Sequence, residues 1–180
     1  RSVAIGTSAL STQNPASAVD MYNVAVGDDS GKLITTGQYN TLIGGLAGDA
    51  QTTADHNVAL GVSTLTTNTK ANKNVAIGSN ALNLFNVTSD TDTYNTAIGY
   101  SAGGAVTTGI QNTLIGGLAG DALTDADYNV GVGYNALGEN TVGSRNTALG
   151  YNALDAMNPA SAADTYNTAV GFYAGQNVTT

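Results

Sequence analysis

The chain has 180 residues, with no Cys, no Trp, 2 Phe, 23 Gly, only 10% charged residues and a net charge of −8. That composition excludes a disulfide scaffold, a zinc–thiolate site and a charge-faced coiled coil, and it supplies few large side chains for one globular core. No apolar run of about 18 residues is present to cross a membrane as a helix, and the five scattered cations (Arg1, Lys32, Lys70, Lys73, Arg145) cannot form a stripe for nucleic-acid phosphates.

In chain order, one pentapeptide recurs: Asn, then Val or Thr, then usually Ala, then Ile, Val or Leu, then Gly. Its copies are Ser2–Gly6, Asn23–Gly27, Asn40–Gly44, Asn57–Gly61, Asn74–Gly78, Asn95–Gly99, Asn112–Gly116, Asn129–Gly133, Asn146–Gly150 and Asn167–Gly171. Their starts are spaced 21, 17, 17, 17, 21, 17, 17, 17 and 21 residues, which defines a superrepeat of 72. The segment NTLIGGLAGDA at Asn40–Ala50 returns unchanged at Asn112–Ala122. Eight positions after each Asn slot stands Leu or Gly in the fixed order Leu, Gly, Gly, Leu: Leu10, Gly31, Gly48, Leu65, then Leu82, Gly103, Gly120, Leu137, then Leu154, Gly175. That order implies recent duplication of a four-repeat unit, or selection for four distinct rungs.

Alternation with period two inside the pentapeptide predicts a strand, and the Gly predicts a bend after it. A unit of 17 residues is too short for a strand–helix–strand crossover, but it holds two strands of about five residues and two turns. The expected fold is therefore all-β: a parallel β-solenoid of about ten 17- or 21-residue coils, each ~4.8 Å above the last. Residues 1–180 read as one continuous array without separate domains. The ladder Ile5, Val26, Ile43, Leu60, Ile77, Ile98, Ile115, Val132, Leu149 and Val170 is expected inside each coil, beside Val3, Val24, Val58, Val75 and Val130. The Ala/Gly face is then left for close packing against a second chain around a shared axis. The nine Asn, from Asn23 to Asn167, read equally as a rung-to-rung amide ladder or as turn residues at strand entries.

SVAIG at Ser2–Gly6 and NVAIG at Asn74–Gly78 resemble the head repeats of trimeric autotransporter adhesins. NTAIGYSAG at Asn95–Gly103 and GYNAL at Gly133–Leu137 and Gly150–Leu154 resemble repeats in phage tail-fibre and bacterial surface-fibre proteins. The resemblance implies a left-handed parallel β-roll in a homotrimer, placed extracellularly, on a cell surface or on a virion. The repeats of that adhesin family are shorter than these and lack the 17/21 alternation.

Candidate sites are few. The one His, His56, fills a slot that elsewhere holds Tyr22, Tyr39, Tyr94, Tyr128 and Tyr166, so it reads as a ladder member, and no catalytic triad or zinc site can be assembled. A second row, Tyr100, Tyr134 and Tyr151 with Phe172, offers a surface-recognition stripe for sugars or, more simply, rings stacked on one another. Acidic residues gather in loops (Asp28 and Asp29, Asp49 and Asp55, Asp90 and Asp92, Asp121, Asp125 and Asp127). Calcium would suit such oxygens, but no calcium-loop motif accompanies them, and solvated loops that keep a fibre soluble explain them better. No other cofactor is called for. Asn86-Val87-Thr88 and Asn177-Val178-Thr179 match the glycosylation sequon. Thr pairs such as Thr35-Thr36 and Thr52-Thr53 do not recur in every coil, which argues against an ice-binding ladder.

The extra residues of the long coils, near Asn14–Ser17, Asn86–Ser89 and Asn158–Ser161, are expected to project as studs. The sequence opens inside a repeat at Arg1 and closes inside another at Thr180, which predicts a segment of a longer array or a subunit that stacks end to end. The expected function is a non-enzymatic structural fibre shaft whose partner is itself, as a trimer or an end-to-end filament. The alternative is an adhesin or receptor-binding head that recognises a cell-surface glycan or protein.

Overall fold

The computed structural model describes residues 1–15 and 17–179; Ala16, which belongs to the first of the predicted studs, and Thr180 lie outside the described residues. Among the described residues the chain is all-β. Ten strands form the main sheet: β1 (Val3–Ile5), β2 (Val24–Val26), β3 (Thr41–Ile43), β4 (Val58–Leu60), β6 (Val75–Ile77), β8 (Thr96–Ile98), β9 (Thr113–Ile115), β10 (Val130–Val132), β12 (Thr147–Leu149) and β14 (Thr168–Val170). They pair in that order, parallel throughout. Each motif residue faces its counterpart one coil on, as in Val24↔Thr41 and Ala25↔Leu42. We number the coils 1 to 10 from the Asn slot, so that coils 1, 5 and 9 are the long ones.

Each coil therefore contributes one strand of three residues to the main sheet, not two of five. Among the described residues second strands exist only as the two-residue pairs β5 (Ala71–Asn72) with β7 (Thr91–Asp92), and β11 (Gly143–Ser144) with β13 (Ala163–Asp164). Turns build the rest of the circuit. Left-handed backbone recurs in four columns of the coil, represented by Tyr22 (φ 53), Gly27 (φ 137), Asp29 (φ 55) and Gly31 (φ 57). Four such residues in a 17-residue circuit bend the chain too often for longer strands to form.

The expected assignment of inside and outside is reversed. The middle residue of each strand is the one that points inward: Ala25, Leu42, Ala59, Ala76, Ala97, Leu114 and Ala148 are at most 1% exposed. The Ile/Val/Leu ladder points outward, with Ile5 59%, Leu60 43%, Leu149 46% and Val170 65% exposed. Val3, Val24, Val58, Val75 and Val130 lie on that same outer side, partly or fully exposed. Period two defines two faces without saying which is buried. The coil bore decides it, because the opposite wall already supplies bulk: Leu10, Ile34, Leu65, Leu82, Phe85, Val106, Leu123, Leu137, Leu154 and Met157 are buried there. Little more than a methyl remains for the strand side, so the Ala/Gly face packs on its own chain and not on a neighbour.

The Leu-Gly-Gly-Leu order is a volume code. Coils 3 and 7 replace the strand Ala by Leu42 and Leu114. A Cβ added at Gly31 would stand 2.8 Å from Leu42 Cδ1, and one at Gly48 2.9 Å from Leu42 Cδ2. Leu114 relates in the same way to Gly103 (2.9 Å) and Gly120 (2.7 Å). Each forked Leu thus fills the space of two missing corner side chains, one on its own coil and one on the coil before. Elsewhere small strand residues face corner Leu.

The Gly that closes each pentapeptide answers a close approach between coils. At Gly44 (φ +134) a Cβ would come within 2.3 Å of the Gly61 carbonyl oxygen on the next coil. Only glycine fits a left-handed corner with backbone stacked directly on it. Gly6, Gly27, Gly78, Gly99, Gly116, Gly133 and Gly150 make the same approach, and Gly171, in the last coil, shares the dihedral.

Candidate functional site

Asn forms the ladder, and it is buried: eight of the nine, Asn23 through Asn146, are at most 1% exposed. Asn40 Oδ1 accepts from the Asn57 backbone N–H at 2.9 Å, and Asn57 Oδ1 from that of Asn74 at 2.9 Å. The other end of each amide closes its own coil: Asn40 Nδ2 donates to the Ala54 carbonyl and Asn57 Nδ2 to the Ala71 carbonyl, both at 2.8 Å. The same pattern runs through Asn95, Asn112 and Asn129, whereas in long coils 5 and 9 Asn74 Nδ2 and Asn146 Nδ2 donate to the carbonyls of Asn72 and Ser144, two residues back. Asn is both ladder and turn lock, and its role is structural. The last, Asn167, is partly exposed and continues the ladder through its backbone N–H.

The outer surface of the main sheet is the most distinctive feature. Each strand points two residues outward. One column is all Val or Thr: Val3, Val24, Thr41, Val58, Val75, Thr96, Thr113, Val130, Thr147, Thr168. The other is the Ile/Val/Leu ladder. Neither column contains a charged side chain. Among the described residues the carboxylates and cations lie outside the main sheet, on the turns and, for Asp92 and Asp164, on the short strands β7 and β13.

Two rows border this face. The left row precedes the Asn slot: Arg1, Tyr22, Tyr39, His56, Lys73, Tyr94, Gln111, Tyr128, Arg145, Tyr166. Its rings turn their faces to one another, Tyr22 on Tyr39 at 5.6 Å and Tyr39 on His56 at 4.7 Å between centroids. Lys73 sits over the Tyr94 ring and Arg145 over that of Tyr128. His56 is thus a rung of the stack. The right row follows the Gly, with Tyr134 stacked on Tyr151 at 5.5 Å and Tyr151 on Phe172 at 5.2 Å. Ring faces spent on neighbours cannot stack on a sugar, so these rows present mainly edges and hydroxyls. Tyr100 differs: it is 62% exposed, and the next position in its row is Gly117.

Each long coil closes with a cation, an Asp and a Tyr in one cluster, a feature that sequence reasoning missed. Arg1 pairs with Asp20, Lys73 with Asp92 and Arg145 with Asp164. The partner Tyr22, Tyr94 and Tyr166 hydroxyls donate to those same carboxylates. Lys73 holds the Asp92 carboxyl below its ordinary range. Equivalent members stand 72 residues apart, which is the signal that could have revealed them.

The Thr residues do recur in every ordinary coil, at one corner: Thr35, Thr52, Thr69, Thr107, Thr124, Thr141 and Thr179, with Asn14, Asn86 and Asn158 in the long coils. Their hydroxyls run along the axis. Thr35 Oγ1 donates to the Thr52 carbonyl at 3.2 Å and Thr52 Oγ1 to the Thr69 carbonyl at 3.1 Å. Thr69 and Thr141 turn theirs onto Asn86 Oδ1 and Asn158 Oδ1. These hydroxyls are engaged with the chain and not arrayed toward water.

The two later inserts each turn one residue inward and leave the others exposed, Asn86, Thr88 and Ser89 in one and Asn158, Ala160 and Ser161 in the other. Val87 packs against the core, Pro159 is buried, and Asp90 accepts from the Thr53 hydroxyl two coils away. Both sequon residues, Asn86 and Asn177, are exposed. Among the described residues no three His, Asp or Glu side chains converge on a point that could hold a metal ion. Two carboxyls, Asp49 and Asp121, are pushed above their ordinary range by burial at equivalent corners.

Set beside protein-family models, curated proteins and solved structures, the chain matches none of them.

Proposed function

We propose that this chain is a structural fibre shaft, extracellular or virion-borne and non-enzymatic, in which copies associate through the outer face of the ten-stranded sheet. The observation that carries this reading is that face: two unbroken columns of Val, Thr, Ile and Leu, free of charge, along all ten coils. Single exposed apolar residues are ordinary, whereas a contiguous apolar stripe marks an interaction surface. Its occupant is a second copy, because a rigid ladder with one repeat is best matched by another of the same repeat. Three copies around a common axis would bury the stripe from every side.

Sedimentation at a multiple of 18.0 kDa, with rods of ~19 Å axial period in negative stain, supports the shaft. A folded monomer overturns it. One observation favours a recognition head instead, namely the exposed Tyr100 ring beside Gly117. Glycan-array binding that is lost on changing Tyr100, Tyr134 and Tyr151 would establish that reading.

A further inference from the structure

The outer face has two unlike borders, and in coil 6 and coils 8 to 10 their side chains complement each other. The left row of a coil lies six residues before the right row of the same coil. Between them runs the strand, rising ~3.3 Å per residue, so within one chain the two rows stay well over ~10 Å apart. They cannot pair with each other intramolecularly.

In coil 8 the left residue is Tyr128 and the right one Tyr134; in coil 9 they are Arg145 and Tyr151; in coil 10, Tyr166 and Phe172. All six are exposed. With ring faces already stacked within each row, the pairs meet through aromatic edges, and in coil 9 the Arg145 side chain meets the edge of Tyr151. Where the right side has no side chain, the left carries Gln111 opposite Gly117 but Tyr39 opposite Gly45, so the matching is confined to the C-terminal coils. In coil 2 Tyr22 stands opposite the carboxylate Asp28, but its hydroxyl already donates to Asp20. No coil sets like charges against each other.

We propose that neighbouring copies meet edge to edge, pointing the same way and in the same register, so that the left row of one copy packs on the right row of the next. This rests on the self-association reading above and adds its geometry. Because the two borders differ, the contact is heterologous, a type that gives a ring when the rotation between copies closes and an open array when it does not, and we place it in a closed ring around the fibre axis. The seam is aromatic in coils 8 to 10 and mostly polar or bare in coils 1 to 4, where the right row is Thr7, Asp28, Gly45 and Val62. The C-terminal half is therefore the clamp that holds the copies together.

The chain has no Cys, so introduced pairs report cleanly. The double variant Tyr128→Cys/Tyr134→Cys, oxidised and run without reductant, should give covalent oligomers that stop at one closed size. A disulfide needs Cα atoms within about 7 Å, so none forms within one chain. Tyr166→Cys/Phe172→Cys should behave likewise, and the circular dichroism of both variants checks that the β-coil is intact. Either double variant cross-linking to a closed size supports the seam. The pair Tyr39→Cys/Tyr128→Cys cross-linking in place of Tyr128→Cys/Tyr134→Cys would show antiparallel copies and overturn the seam. An unmodified oligomer in sedimentation with no cross-link in either seam variant overturns the seam alone, while an unmodified monomer overturns the self-association reading beneath it.

Discussion

Coils 3 and 7 are two castings of one rung. Both carry NTLIGGLAGDA, and then they part: Gln51 follows in the first and Leu123 in the second, each fully buried at the same place. Leu123 fills its site with hydrocarbon. Gln51 brings an amide whose Nε2 and Oε1 have no hydrogen-bond partner. In the next coil the equivalent position is again polar, yet satisfied. Asn68 receives the Ala71 N–H at 2.8 Å and donates to the Ala71 carbonyl at 3.0 Å, and Asn140 does the same with Gly143. A shorter amide reaches the turn backbone and the longer one does not. The duplicated array thus tolerates chemically opposite solutions at one site, because stability is spread over the contacts between neighbouring coils.

What the two superrepeats share should break them equally. Asn40→Ala and Asn112→Ala each orphan a buried N–H on the next coil and a buried carbonyl on their own, at about 1–3 kcal/mol per group. Both variants should lose stability to the same extent in thermal unfolding followed by circular dichroism. A large difference between them would mean that the halves do not fold as equivalents. Next in size, Leu42→Ala and Leu114→Ala should each cost about 2–5 kcal/mol, because each leaves two corner glycines facing a void. Adding Gly48→Leu to Leu42→Ala should recover part of that loss, since it imitates the corner of coil 4. If it recovers nothing, the volume code is wrong.

What distinguishes the superrepeats should respond in opposite directions. Gln51→Leu should stabilise by about 1–3 kcal/mol, by removing a buried unpaired amide, and Leu123→Gln should destabilise by a similar amount. A smaller contrast lies at the next strand, Ala59 in coil 4 against Gly131 in coil 8. The buried core separates into two clusters at coil 8. A Cβ at Gly131 would stand 3.4 Å from both Leu114 and Leu137, which lie on either side of the break. Gly131→Ala should join the clusters and stabilise by about 0.4–1 kcal/mol, chiefly through the unfolded chain. Chemical denaturation should then show a sharper single transition.

The coil count, parallel stacking and register were legible in the sequence because solenoid rungs copy their residues in place. Asn40 sits on Asn23 and Gly44 on Gly27 for the same reason that their spacing is constant. Which face lies inside was not legible. Ala25 and Val26 alternate perfectly, and only the bulk of Ile34 and Leu10 on the far wall shows that the methyl faces in. That bulk comes from residues that pentapeptide periodicity does not reach. The cation–Asp–Tyr clusters escaped because their members, such as Lys73, Asp92 and Tyr94, are distant along the chain and meet only when the long coil closes. The Thr corner escaped because the visible Thr pairs are not its unit; one Thr per coil is.

The smallest contrast separates two identical residues, Asp49 and Asp121, which occupy equivalent corners. Burial raises the pKa of each first of all. At Asp49 two backbone N–H groups oppose that rise, the Asp29 carboxylate adds to it and the Lys32 ammonium works against it, whereas Asp121 has one such backbone N–H, Gly104 in the place of Lys32 and the Asp155 carboxylate adding to the rise. A carboxyl whose pKa is higher in the fold than in the unfolded chain binds protons more tightly when folded. Its contribution to stability is fully present below the ordinary Asp value of ~3.9, is lost as pH rises through the raised value, and leaves a constant penalty above it. Asp→Asn at either site should therefore raise Tm at neutral pH and lose that advantage on acidification. The gain should be larger at Asp121, where no cation offsets the charge. A larger gain at Asp49 would mean that its unpartnered Oδ1, and not its net electrostatic setting, governs the cost of that corner.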